Sequence, residues 1–399
     1  MAKKENIFAW EQRKLGDIKD VRDGTHDSPK YHNEGFPLVT SKNLTGNGLD
    51  MTDVSLISEK DFQSINKRSK VDVGDIIFGM IGTIGNPVIV DREGFAIKNI
   101  ALIKHGGEVT NNFLIQLLKS SIFKQYIQNE NAGNTQKFLG LNKIRDYQFL
   151  SPSYQEQILI GNFLKQLDFT LALLQDKLIQ YQKLKKAFLQ LMFPQNGESV
   201  PQVRFANFST RWEQRKLGEI SEVITKGTTP KDKSWTGEVN YVKTESIDPN
   251  SGNISVTANT SLEEHKGYLK RSQLKADDVL FSIVGTLGRV GVVNQEDLPA
   301  NTNQQIAIIR LNNADNRFVF HVLKTPKIAL FIKSDATIGA QPSLSLWQIN
   351  GLEIPYPSIE EQKKISGFLD TLDHLIALYQ SKLDQLKKLK SFLLQKMFV

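Results

Sequence analysis

Lysine, hydroxyl and amide side chains recur in short loops along this chain of 399 residues, and the chemistry they suit is contact with DNA. Asp23-Gly-Thr-His-Asp-Ser-Pro-Lys-Tyr31 supplies Thr25, His26 and Lys30. A second loop, Lys226-Gly-Thr-Thr-Pro-Lys-Asp-Lys-Ser-Trp235, supplies Lys226, Thr228, Thr229, Lys231, Lys233 and Trp235. Ser41, Lys42 and Asn43 follow one β-rich run, and Lys243 and Ser246 follow another. Lys98 and Asn99 match Asn303, Gln304 and Gln305, while Asn134, Gln136 and Lys137 match Gln341 and Ser343. Arg289 closes a glycine turn. Asn and Gln pair bidentately with adenine and Arg and Lys with guanine, while hydroxyls and lysines hold phosphates. Taken singly, each of these is a solvated loop residue. Taken together, they occupy loops that differ between two halves of a chain whose framework repeats, as expected of two specificities on one frame.

Other chemistry is poorly supported. The glycine turns Gly79-Met-Ile-Gly-Thr-Ile-Gly85 and Gly285-Thr-Leu-Gly288 lack the Gly-x-x-x-x-Gly-Lys-Ser/Thr spacing of a phosphate loop and read as hairpin turns. Asn86-Pro87-Val88 is not the Asn/Asp-Pro-Pro-aromatic tetrapeptide with which amino-methyltransferases hold a target amine. Neither a Gly-x-Ser-x-Gly elbow nor a nuclease core is present. His26 and His32 share a loop with Asp23 and Asp27, but the matching loop has no histidine, so no metal site is expected. The chain holds no cysteine and hence no thiolate zinc site. No catalytic residue and no cofactor of its own are expected.

The elements that position these loops come in two copies. Trp10-Glu-Gln-Arg-Lys-Leu-Gly-Asp-Ile18 returns as Trp212-Glu-Gln-Arg-Lys-Leu-Gly-Glu-Ile220, with eight of nine positions identical. The apolar-periodic stretch Tyr154–Phe193 returns as Ile359–Phe398 at an offset of 205. Within each copy, short β runs, a strand–turn–strand passage (Gly74–Val90, Asp278–Val293) and a third β run (Phe95–Lys104, Gln305–Leu311) precede an amphipathic helix (Phe113–Ile127, Phe318–Ile332). An extended stretch, Leu141–Leu150 or Leu346–Pro355, then leads into the long helix. The expected fold class is α+β, with two similar domains over residues 1–150 and 209–355. Long helices over 151–193 and 356–399 follow them, and Pro194–Pro201 begins a linker over 194–208.

In the first helix apolar residues fall at Ile160, Leu164, Leu167, Leu171, Leu174, Leu178 and Tyr181, alternating steps of four and three. The second repeats them at Ile365, Leu369, Leu372, Ile376, Tyr379, Leu383 and Leu386. This is a coiled-coil seam. A further step of three to Leu184 and Leu389 reads as a stammer in both copies. The simplest closed arrangement pairs the two helices antiparallel within one chain, with approximate two-fold symmetry; pairing between chains as a homodimer is the rival. The basic clusters Lys183-Lys185-Lys186 and Lys387-Lys388-Lys390 beside the seam read as a solvated face.

Fifty Lys and Arg against 43 Asp and Glu leave a net charge of +7, compatible with a polyanionic partner. No run approaches 18 apolar residues and no signal core follows Met1, so a cytoplasmic location is expected.

Over nearly its whole length the sequence resembles the specificity (S) subunits of type I restriction-modification enzymes. The resemblance rests on the repeated Trp-x-x-x-x-Leu-Gly-Asp/Glu-Ile opening, the Gly-Asp-Ile-Ile…Gly-Thr-Ile-Gly hairpin and the passage Tyr147–Gln157 with its copy Leu352–Gln362. The first of these passages, Phe149-Leu-Ser-Pro-Ser-Tyr-Gln-Glu-Gln157, has one proline fewer than the second. The resemblance implies two target recognition domains reading a bipartite, asymmetric double-stranded DNA sequence. It implies long helices that space them and dock two modification (methyltransferase) subunits. S-adenosylmethionine, ATP and Mg would then belong to modification and restriction subunits. Against this stand an adaptor whose coiled coil binds protein alone, and a self-contained methyltransferase or nuclease.

Overall fold

The computed structural model describes residues 10–46, 48–130, 138–195, 198–337, 339 and 341–398. The chain divides into two compact units, Met1–Leu174 with Leu383–Val399, and Gln175–Lys382. Each long helix therefore contributes to both units.

In the first unit, strand Glu11–Lys14 pairs antiparallel with Gln148–Ser151, the last strand before the long helix, so the ends of the globular region are tied together. Strands Val21–Asp23, Ile100–Ile103, Ile76–Gly79 and Gly85–Ile89 form an antiparallel sheet in that order. Its residues alternate between two cores, as the pleat requires. Ile76, Phe78, Ala101 and Ile103 pack with Phe113, Leu114 and Leu117 of the helical layer. Ile77, Ile100 and Leu102 pack with Val39, Phe95 and Ile97 on the opposite face. The two central strands, Ile76–Gly79 and Ile100–Ile103, are apolar at every position because both of their faces are covered. A second sheet, Ala96–Ile97, Phe36–Val39, Ser55–Ile57 and Tyr31–His32, contains a parallel pair between its first two strands.

The second unit repeats this plan. Glu213–Lys216 pairs with Glu353–Tyr356, and Ser221–Lys226, Ile306–Leu311, Val279–Ser282 and Val290–Val292 form the main sheet. Ala300–Thr302 runs parallel to Val239–Val242, which pairs antiparallel with Asn259–Thr260. The expected hairpins are present, and their turn residues Gly82, Gly85, Gly285 and Gly288 all adopt positive φ.

Local structure differs from expectation at three places. Each amphipathic helix is broken in two, Asn111–Lys119 and Ser121–Glu130, then Asn316–Leu323 and Pro326–Asp335. Ser120 and Thr325 take extended backbone at the breaks, and Pro326 begins the second helix where its missing N–H is harmless. The run Phe95–Lys104 is two strands in different sheets, turned at Asn99 with φ of 56°. Leu141–Leu150 and Leu346–Pro355 each begin with a helical turn, Leu141–Arg145 or Leu346–Asn350, ahead of the final strand.

The long helices run Tyr154–Leu191 and Ile359–Met397. In each unit the start of one lies antiparallel to the end of the other. Asp168 pairs with Lys390 and Leu164 shares a core with Phe398 in the first unit. In the second, Asp373 pairs with Lys185, Tyr379 with Tyr181 and Phe368 with Phe188. The expected stammer is absent. Leu184 and Leu389 are 42% and 46% exposed, whereas Lys185 is only 9% exposed and Lys390 is half-buried. The seam thus keeps its heptad spacing and passes through a lysine in each copy. Lys185 and Lys390 leave the basic clusters to become paired seam residues, and Lys183, Lys186, Lys387 and Lys388 stay exposed.

Removing one partner of a buried ion pair strands the other charge, at a cost of about 3 kcal/mol. Lys185→Met is expected to lose about that much in urea unfolding, and Lys185→Met combined with Asp373→Leu to lose less. A double variant as damaged as the sum of both singles would show that the two charges do not act as a pair.

Candidate nucleic-acid interface

Two chain crossings build the candidate loops. In the first unit the backbone of Thr25 donates to Ile97 O (3.0 Å) and accepts from Asn99 N (3.0 Å). In the second, Thr228 N donates to Thr302 O (2.8 Å). Glycine precedes the crossing in both cases. A Cβ on Gly24 would lie 2.3 Å from Ile97 O, and one on Gly227 would lie 2.1 Å from Thr302 O. Only a residue without a side chain lets the strands approach so closely.

Around the first crossing the structure gathers Thr25, His26, Ser41, Lys98 and Asn99. His26 Nδ1 faces Asn99 Oδ1 (2.9 Å) and Nε2 faces Asp23 Oδ2 (2.9 Å). Lys98 Nζ donates to Ser28 Oγ (2.5 Å), and Ser41 Oγ to Asn99 O (3.4 Å). Two acceptors facing the two ring nitrogens favour the doubly protonated imidazole. Hydrogen bonds to Asn99 and to Asp23 accordingly raise the His26 pKa, against a smaller opposing effect of burial. Lys30 is exposed, and Lys42 forms an exposed ion pair with Asp53 (3.1 Å).

Around the second crossing Thr229 Oγ1 donates to Gln304 Oε1, and Asn303 Nδ2 to Gln305 Oε1 (3.1 Å). Lys243 Nζ lies 3.6 Å from the centre of the Trp235 ring, which packs against Tyr241, and Lys231 Nζ lies 4.8 Å from that of Tyr268. Lys226 and Lys233 are exposed. Gln341 and Ser343 lie elsewhere, where Gly285 N donates to Pro342 O (2.9 Å) beside the hairpin turn. Asn134, Gln136 and Lys137 lie outside the described residues.

Four expected contact residues are used by the fold instead. Asn43 is buried, accepting from Thr40 N (3.0 Å) and donating to Asp53 O (2.9 Å). Ser41 and Ser246 are buried, and Ser246 Oγ caps Lys243 N (3.2 Å). Arg289 donates to Thr244 O and Ile247 O (3.1 Å each). Each sits beside a tight turn whose backbone groups need partners. Two arginines join the crossings unexpectedly: Arg68 pairs with Asp23, and Arg271 donates to Thr228 Oγ1 (3.4 Å). Their signal is the repeated Lys-Arg-Ser at 67–69 and 270–272.

One trio among the described residues, His321, Asp370 and Asp373, has the proximity of a metal site. Its charge is already matched. Arg317 and His321 donate to Asp370 (2.6 and 2.8 Å), and Lys185 pairs with Asp373. Burial works against the Asp370 carboxylate, but those hydrogen bonds outweigh it and hold its pKa at about 2.

Comparison with known proteins assigns the family. The profile described as type I restriction modification DNA specificity domain matches residues 9–183 and 209–388. The specificity subunit assigned to the MjaX type I restriction enzyme of Methanocaldococcus jannaschii is 25% identical, over 96% of this chain and 91% of its own length. The MjaVIII specificity subunit of the same organism is 20% identical over 84% and 80%. The crystal structure of a type I restriction-modification S subunit from M. genitalium matches with a TM-score of 0.63 at 19% identity, covering 100% of this chain and 98% of that one. The chain therefore belongs to the type I restriction-modification specificity family. It is a non-catalytic specificity subunit with two recognition domains. No helix among the described residues is long and apolar enough to cross a membrane.

The raised His26 pKa means that its hydrogen bonds stabilise the first unit fully below the ordinary value of 6.5. That contribution is lost as pH rises through the raised value. Asn99→Ala is expected to return the His26 titration toward 6.5, read by two-dimensional NMR of the imidazole. An unmoved titration would show that Asn99 does not hold the charged ring.

Proposed function

We propose that the two units read the two halves of a bipartite, asymmetric duplex target through the loops at their crossings. The observation that carries this is divergence on a common frame. Both crossings share a threonine N–H donated to the facing strand end, Thr25 to Ile97 O and Thr228 to Thr302 O, yet one presents His26, Lys98 and Asn99 and the other Thr229, Gln304 and the Trp235–Lys243 stack. Amides and cations there suit base edges, and Lys30, Lys226, Lys231 and Lys233 suit phosphates. Thr25, Lys42, Thr228, Asn303 and Gln305 belong to the same surfaces. Gln341 and Ser343 beside the second hairpin turn stay candidates, and Asn134, Gln136 and Lys137 stay candidates on their sequence alone.

On this reading residues 1–150 and 209–355 are the target recognition domains, 151–193 and 356–399 the spacer helices, and 194–208 a linker. The helices receive two modification subunits, which hold S-adenosylmethionine and methylate adenine. Restriction subunits, with ATP and Mg, complete the complex in the cytoplasm.

Replacing Lys226–Trp235 by the corresponding loop of a relative should change one half-site and spare the other. Methylome sequencing of cells expressing the chain with its modification subunit reads this directly. A change in both half-sites, or in neither, would sink the two-reader assignment. Gln304→Ala is expected to cost about 1–3 kcal/mol of discrimination at one base pair, measured by competition binding against targets varied at each position.

A further inference from the structure

The first unit contains a cavity of about 530 Å³ between the Asn111–Lys119 and Ser121–Glu130 helices, the start of the Gly85–Ile89 strand and the last turns of the second long helix. Four ammonium groups line it, from Lys119, Lys124, Lys387 and Lys390, against the single carboxylate of Asp168. Asp168 is taken by Lys390 and by Gln116 Nε2 (2.9 Å). Lys119 is half-buried, and among the described residues neither it, Lys124 nor Lys387 has an ion-pair or hydrogen-bond partner for its ammonium. Unpaired ammonium groups converging on one cavity favour an anion there.

The second unit supplies an internal contrast. The equivalent of Lys119 is Lys324, whose Nζ donates to Pro249 O (3.2 Å) and Asn250 O, so a loop satisfies the same ammonium. Lys124 is replaced by Ala329 and Lys387 by Gln182. At these three positions, among the described residues, the unpaired cations occur only in the first unit.

We propose that this cavity is a phosphate-binding site, with a DNA backbone phosphate as its occupant. Ser121 and Ser391 line the cavity beside the lysines and supply the hydroxyl donors that, with lysine, commonly hold backbone phosphates. Thr45 and Gly46 at its edge follow directly on the Ser41–Asn43 turn of the candidate DNA-reading loops. Burial lowers the Lys119 pKa, and the nearby Asp168 carboxylate, already engaged by Lys390, offsets this only in part. A phosphate source other than DNA would satisfy the same groups.

The DNA assignment rests on the function proposed above, and two arms keep the two claims separate. Full-length chain carrying Lys124→Gln with Lys387→Gln, both exposed and so harmless to folding, is compared with Lys119→Gln and with Lys60→Gln as a surface control. The first arm measures target-duplex binding by fluorescence anisotropy across about 50–200 mM salt. Loss of one phosphate contact is expected to reduce the salt slope by about 0.9 and weaken binding about five-fold near 0.15 M, with the Lys60 variant unchanged. The second arm measures inorganic pyrophosphate by calorimetry. Binding abolished by the same substitutions, with the DNA slope intact, would support the cavity and assign it a free phosphoryl ligand. If wild-type chain binds duplex and neither arm responds, the phosphate site is overturned and the DNA-reading function stands. If wild-type chain binds no duplex, that function falls, and pyrophosphate alone decides the cavity: binding lost on substitution keeps it, no binding overturns it.

Discussion

A lysine in the apolar seam of each long helix meets an aspartate of the other, and the repeat makes the two contacts equivalent. Asp168 pairs with Lys390 and Asp373 with Lys185, each aspartate and lysine exchanging roles between copies. Burying an ammonium among leucines is unfavourable by several kcal/mol unless a carboxylate meets it. Leucine seams alone tolerate many registers, whereas a heptad slip here would leave two ammonium groups and two carboxylates apart among apolar side chains. The pairs therefore favour one antiparallel register out of several that hydrophobic burial alone would permit. The contacts made by the far end of each helix inherit that register: Phe398 against Trp10 and Phe113, and Phe193 against Trp212 and Phe318.

The large-scale plan was legible because duplication writes it twice. Apolar periodicity locates both long helices within a few residues, and glycine spacing locates both hairpins. The seam lysines were not legible, because an isolated lysine in a helix reads as surface and its partner lies 188 or 222 positions away. That is why Leu184 and Leu389 seemed to continue the stripe. The helix break had a written signal only in the second copy, at Pro326. In the first copy Ser120 makes the same break with no proline, and its position follows from the packing of Phe123 with Phe78 and Tyr147.

The candidate site divides in the same way. Residue type indicated which loops to consider, but it did not separate side chains that face outward from those consumed by turns. Asn43 and Ser246 are good base or phosphate binders in the abstract. Each closes a single turn of 3-10 helix, where an unpaired backbone N–H costs more than a solvated amide would gain. His26 meets its partner Asn99 across 73 positions, a pairing that only the crossing of the two loops creates.

Because the crossings are held by main-chain hydrogen bonds and by a glycine that admits close approach, the side chains displayed there are free to vary. Gly24 and Gly227 are fixed by backbone geometry, whereas the residues two places on, His26 and Thr229, use their side chains to meet Asn99 and Gln304 on the neighbouring loop rather than to build the crossing. The buried layer beneath, Ile97 with Ile100 in one unit and Val242 with Ile306 in the other, is apolar and interchangeable in kind. Separating the groups that build the crossing from those that face outward lets one framework carry two unrelated sets of contacts in a single chain. On the proposed reading it also confines changes of specificity to positions where substitution costs little stability, since exposed loop side chains seldom contribute more than ~0.5 kcal/mol.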